Sequence, residues 1–199
     1  MIAIIDYGMG NLRSVQKALE KVGAQVQLSC SPQVILNADQ VVLPGVGAMA
    51  PAMQKLKDLG LVDAIHKTVK SGKPFLGICL GLQLLFDKSS EGGHSDGLRI
   101  LEGTVERFTQ LKVPHMGWNQ LQVQPAGKDI YKDIPDGENV YFCHSYFIQP
   151  KDKGIVASTT NYGVDFVSSI VKDNIWGVQF HPEKSQQVGL QILRRFTQL

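Results

Sequence analysis

The sequence lacks the features that mark secreted, membrane-spanning and nucleic-acid-binding proteins. Its 199 residues contain no apolar run near the roughly 20 residues that a helix needs to cross a bilayer. No basic segment followed by a long apolar segment opens the chain, so no secretory signal is predicted. The formal net charge is only +2, and the one dense basic cluster is Arg194-Arg195. Neither a nucleic acid nor a membrane is therefore expected as a partner.

Cysteine is scarce, and its number is odd. Three cysteines do not suggest a disulfide framework, so a cytoplasmic location is expected. Gly8-Met-Gly10 could open a phosphate-binding loop, but Arg13 stands where the dinucleotide pattern needs its third glycine. No cofactor and no metal are expected. Repeats, low-complexity stretches and linkers are also absent, so residues 1–199 are predicted to form a single domain.

What the sequence does contain is an alternation of strand-like and helix-like segments in its first half. Short apolar runs predict buried parallel strands, and apolar residues at spacings of three and four predict helices between them. The predicted strands are 2–5, 26–28, 41–43 and 75–78, and the predicted helices are 12–22, 48–59, 61–71 and 80–87. This pattern predicts an α/β fold of three layers, with a mainly parallel central sheet flanked by helices.

The second half changes character. Strand-like segments separated by polar turns predict antiparallel additions to the sheet, and a last helix is predicted at 186–198. The segments predicted as strands are 100–108, 120–124, 139–148, 155–160, 165–172 and 175–180. In open α/β sheets, ligand sites form beyond the carboxyl ends of the parallel strands, and candidate residues are therefore sought there.

A G-x-C-x-G sequence at 77–81 lies between an apolar strand and a helix. It is the cysteine counterpart of the G-x-S-x-G nucleophile elbow, in which Gly77 and Gly81 must be small because the turn is tight. Cys79 would stand at a helix N-terminus, where the dipole favours the thiolate, and the amide of Leu80 could donate to an oxyanion. The alternative is that Cys79 is an apolar core residue. Cys30 and Cys143 lack this setting. Cys30 is predicted to be structural, and Cys143 is predicted to be a core residue.

A cysteine nucleophile needs a base, and the base needs an orienting group. His181 follows a predicted strand and precedes Pro182, which keeps it extended. Glu183 then projects to the same side as His181 and can hold the imidazole. Alternatively, Glu183 is a solvated acid after a turn.

The turn Gly45-Val46-Gly47 ends the third predicted strand, which would lie near Cys79 in a parallel sheet. A glycine-rich turn there can direct backbone amides at a developing oxyanion, although it could also be a plain connection. With Leu80, the residues Gly45, Val46 and Gly47 are the predicted oxyanion hole.

Together these motifs resemble the class I glutamine amidotransferases, and the flanking segments resemble the branch formed by the glutaminase subunits of imidazole glycerol phosphate synthases. The resemblance runs in order along the whole chain. It is carried by D-Y-G-M-G-N-L-R-S at 6–14, P-G-V-G-A at 44–48, G-I-C-L-G-L-Q at 77–83, S-E-G-G at 90–93, P-H-M-G-W-N at 114–119, Y-F-C-H-S-Y at 141–146 and G-V-Q-F-H-P-E-K-S at 177–185.

This resemblance implies that Cys79, His181 and Glu183 hydrolyse glutamine and pass the ammonia to a cyclase subunit with a (β/α)8 barrel, in a heterodimer. It adds contacts to the glutamine substrate at Gln83, Glu91, Ser145 and Tyr146, although Gln83 could be a polar residue of a helix turn and Ser145-Tyr146 could serve a turn. It also implies a partner interface at His115, Met116, Trp118 and Asn119, with a buried loop as the alternative.

Three other functions remain open at this point. Another amidotransferase, such as an anthranilate or aminodeoxychorismate synthase, would use the same triad chemistry, but the segments 6–14 and 114–119 point away from it. A stand-alone cysteine hydrolase of γ-glutamyl peptides would be active without a partner. A non-catalytic module on the same fold would be expected to lack a member of the triad, and none is lacking here.

Overall fold

The computed structural model describes residues 1–199 as six α-helices and fourteen strands, joined by turns and short 3-10 segments. In chain order the elements are β1 (Ile2–Ile5), α1 (Leu12–Lys21), β2 (Val26–Ser29), α2 (Pro32–Asn37), β3 (Gln40–Leu43), α3 (Met49–Asp58), α4 (Leu61–Lys70), β4 (Phe75–Ile78), α5 (Leu80–Leu84), β5 (Phe86–Ser89), β6 (Ser95–Asp96), β7 (Leu101–Arg107), β8 (His115–Gln120), β9 (Gln122–Val123), β10 (Asn139–His144), β11 (Tyr146–Pro150), β12 (Val156–Asn161), β13 (Asp165–Lys172), β14 (Ile175–Val178) and α6 (Gln186–Phe196).

A parallel block in the order β2-β1-β3-β4-β14 forms the centre of the main sheet. Every residue of β1, β3, β4 and β14 is buried, as apolar strands covered on both faces must be. In β1, Ile2 and Ile4 join the apolar core on one side of the sheet, and Ala3 and Ile5 join the core on the other.

Helices cover both faces of this block. On one face, α1 and α6 contribute Leu19 and Phe196 to an apolar cluster. On the other face, α2, α3 and α4 contribute Ile35, Leu56 and Ile65 to a second cluster. The predicted three-layer α/β architecture, with helices on both sides of a sheet that is parallel at its centre, is therefore confirmed.

The second half of the chain extends the sheet with antiparallel strands, as predicted. β13 pairs with β14, β11 joins β13 to β7, and β12 links β13 to the short β9. The far edge is completed by β5, which runs parallel to β7, and by β6. The strands β8 and β10 form a separate antiparallel pair outside the main sheet.

The prediction of a helix over 80–87 was wrong in its second half. The helix ends at Leu84, and the chain continues into β5. The physical reason is non-local pairing, because the amide of Leu98 donates to the Leu84 carbonyl at 2.7 Å and the amide of Ile100 donates to the Leu85 carbonyl at 2.9 Å. These carbonyls therefore accept from a later segment instead of from the next helical turn.

The single strand predicted over 139–148 is also wrong. It breaks at Ser145 into β10 and β11, which belong to different sheets. The segment 115–120, for which no strand was predicted, is the strand β8, and the short helix α2 also went unpredicted. No helix of the chain combines the length and apolarity that a bilayer crossing needs.

Candidate active site

Cys79 stands on a sharp turn between β4 and α5. Its backbone angles, φ 54° and ψ −108°, lie in a region that L-residues seldom adopt. A Cβ on Gly81 would lie 1.8 Å from the carbonyl oxygen of Leu43, and one on Gly77 would lie 2.9 Å from the Leu82 backbone. Both glycines are therefore required by close backbone contacts, as expected for a nucleophile elbow.

The neighbouring strand brings His181 to the same end of the sheet. Val178, the last residue of β14, pairs with Ile78 at the end of β4, and its carbonyl accepts from the amide of Cys79 at 2.8 Å. Three residues later, His181 lies close to Cys79, and the two residues line one cavity. Its Nδ1 meets Glu183 Oε1 at 2.9 Å.

The imidazole of His181 is held in its protonated form. Burial lowers the pKa of His181, but interactions with the Cys79 sulfur and the Glu183 carboxylate outweigh burial and raise it to about 10. The side chains of His181 and Glu183 are only 4% and 2% exposed, so solvent screens their interaction weakly. A buried imidazolium beside a cysteine sulfur can stabilise a thiolate and donate a proton to a leaving group.

The turn at 45–47 packs against the elbow. A Cβ on Gly45 would lie 3.1 Å from the Cβ of Leu80. No hydrogen bond within the protein engages the amides of Gly45, Val46 and Gly47, and the amide of Leu80 is the first of its helix. Amides without a partner in the protein therefore lie near Cys79 on two elements, as the predicted oxyanion hole would need.

Tyr7 packs against this turn and is hydrogen-bonded to it. Its hydroxyl donates to the carbonyl of Pro44 at 3.0 Å, and a Cβ on Gly45 would lie 2.3 Å from the same hydroxyl. Burial, and then the nearby Cys79, raise the pKa of Tyr7 well above its usual range, so the phenol remains a donor. Tyr7 was not singled out in the sequence, although it belongs to the segment 6–14.

An open cavity of about 290 Å³ connects these groups. It is lined by Cys79, by His181, by part of the predicted oxyanion hole and by all four residues predicted to contact glutamine. Its lining consists of Val46, Gly47, Cys79, Leu80, Gln83, Glu91, Pro114, Cys143, His144, Ser145, Tyr146, His181 and Lys184.

The predicted glutamine-contacting residues differ in how free they are. The amide nitrogen of Gln83 already donates to the Tyr146 carbonyl at 2.8 Å and to another glutamine side chain. The carboxylate of Glu91 accepts from the amide of Met49 at 2.7 Å, at the start of α3. Ser145 and Tyr146 line the cavity at the junction of β10 and β11.

The predicted interface residues lie on opposite faces of β8. Met116 and Trp118 are 61% and 49% exposed, so β8 presents two large apolar side chains to the surface from one face. His115 is only 3% exposed and stacks between Phe142 and Tyr162, so the structure does not support its predicted contact with a partner. The exposed part of the predicted interface is therefore Met116 and Trp118.

Two buried histidines form a hydrogen-bonded chain behind the cavity. His115 Nδ1 meets His144 Nε2 at 3.0 Å, His144 Nδ1 meets the Tyr146 carbonyl at 2.8 Å, and Asn119 Nδ2 meets His115 Nε2 at 3.3 Å. Burial lowers the pKa of His115 to about 4 and that of His144 to about 3. Both rings are therefore neutral where His181 is charged.

Several residues of the site were not predicted. Gln179 is fully buried and contacts the sulfur of Cys79. Cys143, which was expected in the core, lines the cavity, and its carbonyl oxygen lies 3.9 Å from the same sulfur. His144 and Lys184 also line the cavity, whereas Cys30, expected to be structural, is exposed. The available signal for Gln179 was a polar residue at the end of an otherwise apolar strand.

The fold and the site define an α/β protein with a cysteine–histidine–glutamate site at the carboxyl edge of a parallel sheet. The sequence model of the family "Glutamine amidotransferase class-I" matches residues 3–198. The chain belongs to the class I glutamine amidotransferase family.

Curated relatives narrow the comparison. The protein named imidazole glycerol phosphate synthase subunit HisH in Syntrophotalea carbinolica is 54% identical over 205 aligned residues, which cover 98% of each chain. Its counterpart of the same name in Aquifex aeolicus is 52% identical and covers 97% of this chain and 94% of that one. A solved structure described as a glutamine amidotransferase superposes with a TM-score of 0.78 at 18% identity, covering 100% and 98% of the two chains, which supports the fold alone.

Proposed function

We propose that the chain is the glutaminase subunit of an imidazole glycerol phosphate synthase. It hydrolyses glutamine to glutamate and ammonia, and the ammonia is used by a cyclase subunit that makes imidazole glycerol phosphate and an aminoimidazole-carboxamide ribonucleotide in histidine biosynthesis. The observation that carries this proposal is the convergence of Cys79, His181 and Glu183 on one cavity, in a chain about half identical over its length to relatives of that name.

The first half of the reaction forms a thioester. The Cys79 thiolate attacks the side-chain carbonyl carbon of glutamine, and the carbonyl oxygen becomes an oxyanion within reach of the amides of Leu80 and the 45–47 turn. As the carbon–nitrogen bond breaks, the His181 imidazolium gives its proton to the leaving amine, and ammonia departs. The raised pKa of His181, about 10, supports a charged ring at the start of this step.

The second half releases glutamate. Neutral His181 takes a proton from water, the hydroxide adds to the thioester carbon, and collapse of the intermediate expels the Cys79 thiolate. This step restores the original thiolate and imidazolium. Glu183 holds the Nδ1 side of the ring throughout, which leaves Nε2 as the nitrogen that exchanges protons.

The remaining parts of the proposal concern substrate and partner. Gln83, Glu91, Ser145 and Tyr146 surround the backbone groups of glutamine, since all four line the cavity. The cyclase subunit, folded as a (β/α)8 barrel, contacts the exposed Met116 and Trp118 and forms a heterodimer with this chain. Residues 1–199 act as one domain in the cytoplasm, where three unpaired cysteines remain reduced.

The test measures synthase turnover with two nitrogen sources. A complex of the Cys79→Ala chain with the cyclase subunit is expected to lose at least about 1,000-fold of its glutamine-dependent rate. The ammonia-dependent rate is expected to stay within about twofold, because the cyclase site is untouched. As a matched control, Cys30→Ala should leave both rates unchanged, since Cys30 is exposed outside the cavity.

Glutamine hydrolysis by the isolated wild-type chain, at the rate of the complex and insensitive to the cyclase, would favour a stand-alone γ-glutamyl hydrolase and overturn the proposal. Retained glutamine-dependent turnover in the Cys79→Ala complex would overturn the nucleophile assignment.

A further inference from the structure

Gln179 lies next to Cys79. It follows β14, is 0% exposed, and places its side-chain nitrogen 3.6 Å from the sulfur of Cys79. Its side-chain oxygen accepts from Gln83 Nε2 at 3.0 Å. The amide of Gln179 therefore links the first turn of α5 to the reactive sulfur.

The orientation of both side-chain amides follows from one acceptor. The carbonyl of Tyr146 can only accept, so the group that meets it at 2.8 Å must be the nitrogen of Gln83. That nitrogen has a second hydrogen, which is directed at Gln179 and must meet its oxygen. The NH2 group of Gln179 is thereby turned toward Cys79, and a reversed amide would place two donors against each other.

Packing alone does not explain why a glutamine is buried at position 179. A primary amide removed from water costs stability unless both ends are satisfied, and an apolar side chain would fill the same space without that cost. The satisfied partners of Gln179 are Gln83 on one side and the sulfur on the other. The second contact is weak for a neutral thiol and strong for a thiolate, because a charged acceptor strengthens a hydrogen bond.

We propose that Gln179 is a further residue of the catalytic machinery, which holds the Cys79 thiolate in position by donating an N–H bond, and that Gln83 is the positioning residue that fixes its orientation. The inference rests on the proposed function only for the reaction that the thiolate performs. The other groups that face the sulfur are His181, from the segment after β14, Tyr7, from the segment after β1, and the Cys143 carbonyl of β10.

Alkylation of Cys79 tests this inference without substrate or partner. The rate of iodoacetamide modification is followed against pH on the isolated chain, with peptide mass spectrometry to separate Cys79 from the other cysteines. Gln179→Met keeps the length and volume and removes the donor. The pH of half-maximal rate is expected to rise by about one unit. Gln83→Met should shift it in the same direction by less, because Gln179 remains but is free to turn.

A matched control replaces another buried glutamine of the same sheet. Gln40, 8% exposed, donates to the Phe196 carbonyl near the opposite end of the parallel strands. Gln40→Met is expected to leave the alkylation profile unchanged. In the complex, Gln179→Met should lower kcat for glutamine by about tenfold or more, with KM within about threefold and the ammonia-dependent rate intact.

A wild-type alkylation profile in folded Gln179→Met would overturn the inference and leave the proposed function standing. Should Gln179→Met fail to fold, Gln83→Met decides in its place, and an unshifted profile in that variant would also overturn the inference. Failure of the wild-type complex to use glutamine would instead overturn the proposed function and leave the shift in alkylation intact.

Discussion

Two histidine residues of this site differ in charge because their partners differ. His181 faces a carboxylate and a sulfur, which raise its pKa to about 10 despite burial. Burial lowers the pKa of His144 to about 3, and its ring nitrogens meet a backbone carbonyl and the ring of His115. A proton at neutral pH therefore resides on the ring beside the nucleophile.

The pH dependence of stability should reflect the charge on His181. Since its pKa is about 10 in the folded chain against an ordinary 6.5, this stabilisation is complete below about pH 6.5 and is lost as pH rises through about 10. Replacing Glu183 with Gln removes one of the charges that raise the pKa. Urea unfolding at pH 6.5 to 10 should show Glu183→Gln less stable by about 1.5–3 kcal/mol at the lower pH, with the gap narrowing as pH rises.

The exposed Glu20→Gln provides the control, because its carboxylate lies on the surface of α1, does not line the cavity and does not titrate in that range. A gap between wild type and Glu183→Gln that stays constant over the whole range would contradict the assignment of a charged His181.

Elements defined by local signals could be predicted from the sequence, and those that depend on distant pairing could not. The strand–elbow–helix at Cys79 was predicted because Gly77 and Gly81 are required within a few residues of the nucleophile. β5 and β8 were missed because their strand character comes from pairing with β7 and β10, which lie further along the chain and outside the local sequence pattern. The break at Ser145 has the same origin, since β10 and β11 pair with different sheets.

The strand β8 presents the exposed apolar side chains Met116 and Trp118, and we expect it to contact the cyclase subunit. Trp118→Ala should weaken assembly by about tenfold or more, because buried tryptophans contribute strongly to interfaces. The dissociation constant, measured by titration calorimetry, checks this expectation. Leu59→Ala, another exposed apolar residue at the end of α3, is the control and should assemble normally. Unchanged affinity in Trp118→Ala would place the interface elsewhere.

At the scale of the whole molecule, the parallel sheet is what makes a site from residues about a hundred positions apart. β3, β4 and β14 are parallel and end at one edge of the sheet, so the 45–47 turn, Cys79 and His181, which follow them, meet there. This meeting could be predicted from the sequence, because the carboxyl ends of neighbouring parallel strands lie at the same edge of a sheet. The sequence could not predict Gln179 or the buried orientation of His115. The first depends on side-chain contacts with Cys79 and Gln83, and the second depends on stacking against Phe142 and Tyr162.

The most direct test of the account is the site of covalent capture by a diazoketone analogue of glutamine, whose diazomethyl carbon takes the place of the amide nitrogen beside an unchanged carbonyl. Once this carbon has gained a proton, the attacking sulfur bonds to it and dinitrogen leaves. The complex with the cyclase subunit is treated, digested and analysed by mass spectrometry. We predict a single adduct on the peptide that contains Cys79, and none in the Cys79→Ser chain. An adduct on Cys143 or Cys30, or none at all while the complex still hydrolyses glutamine, would contradict the account.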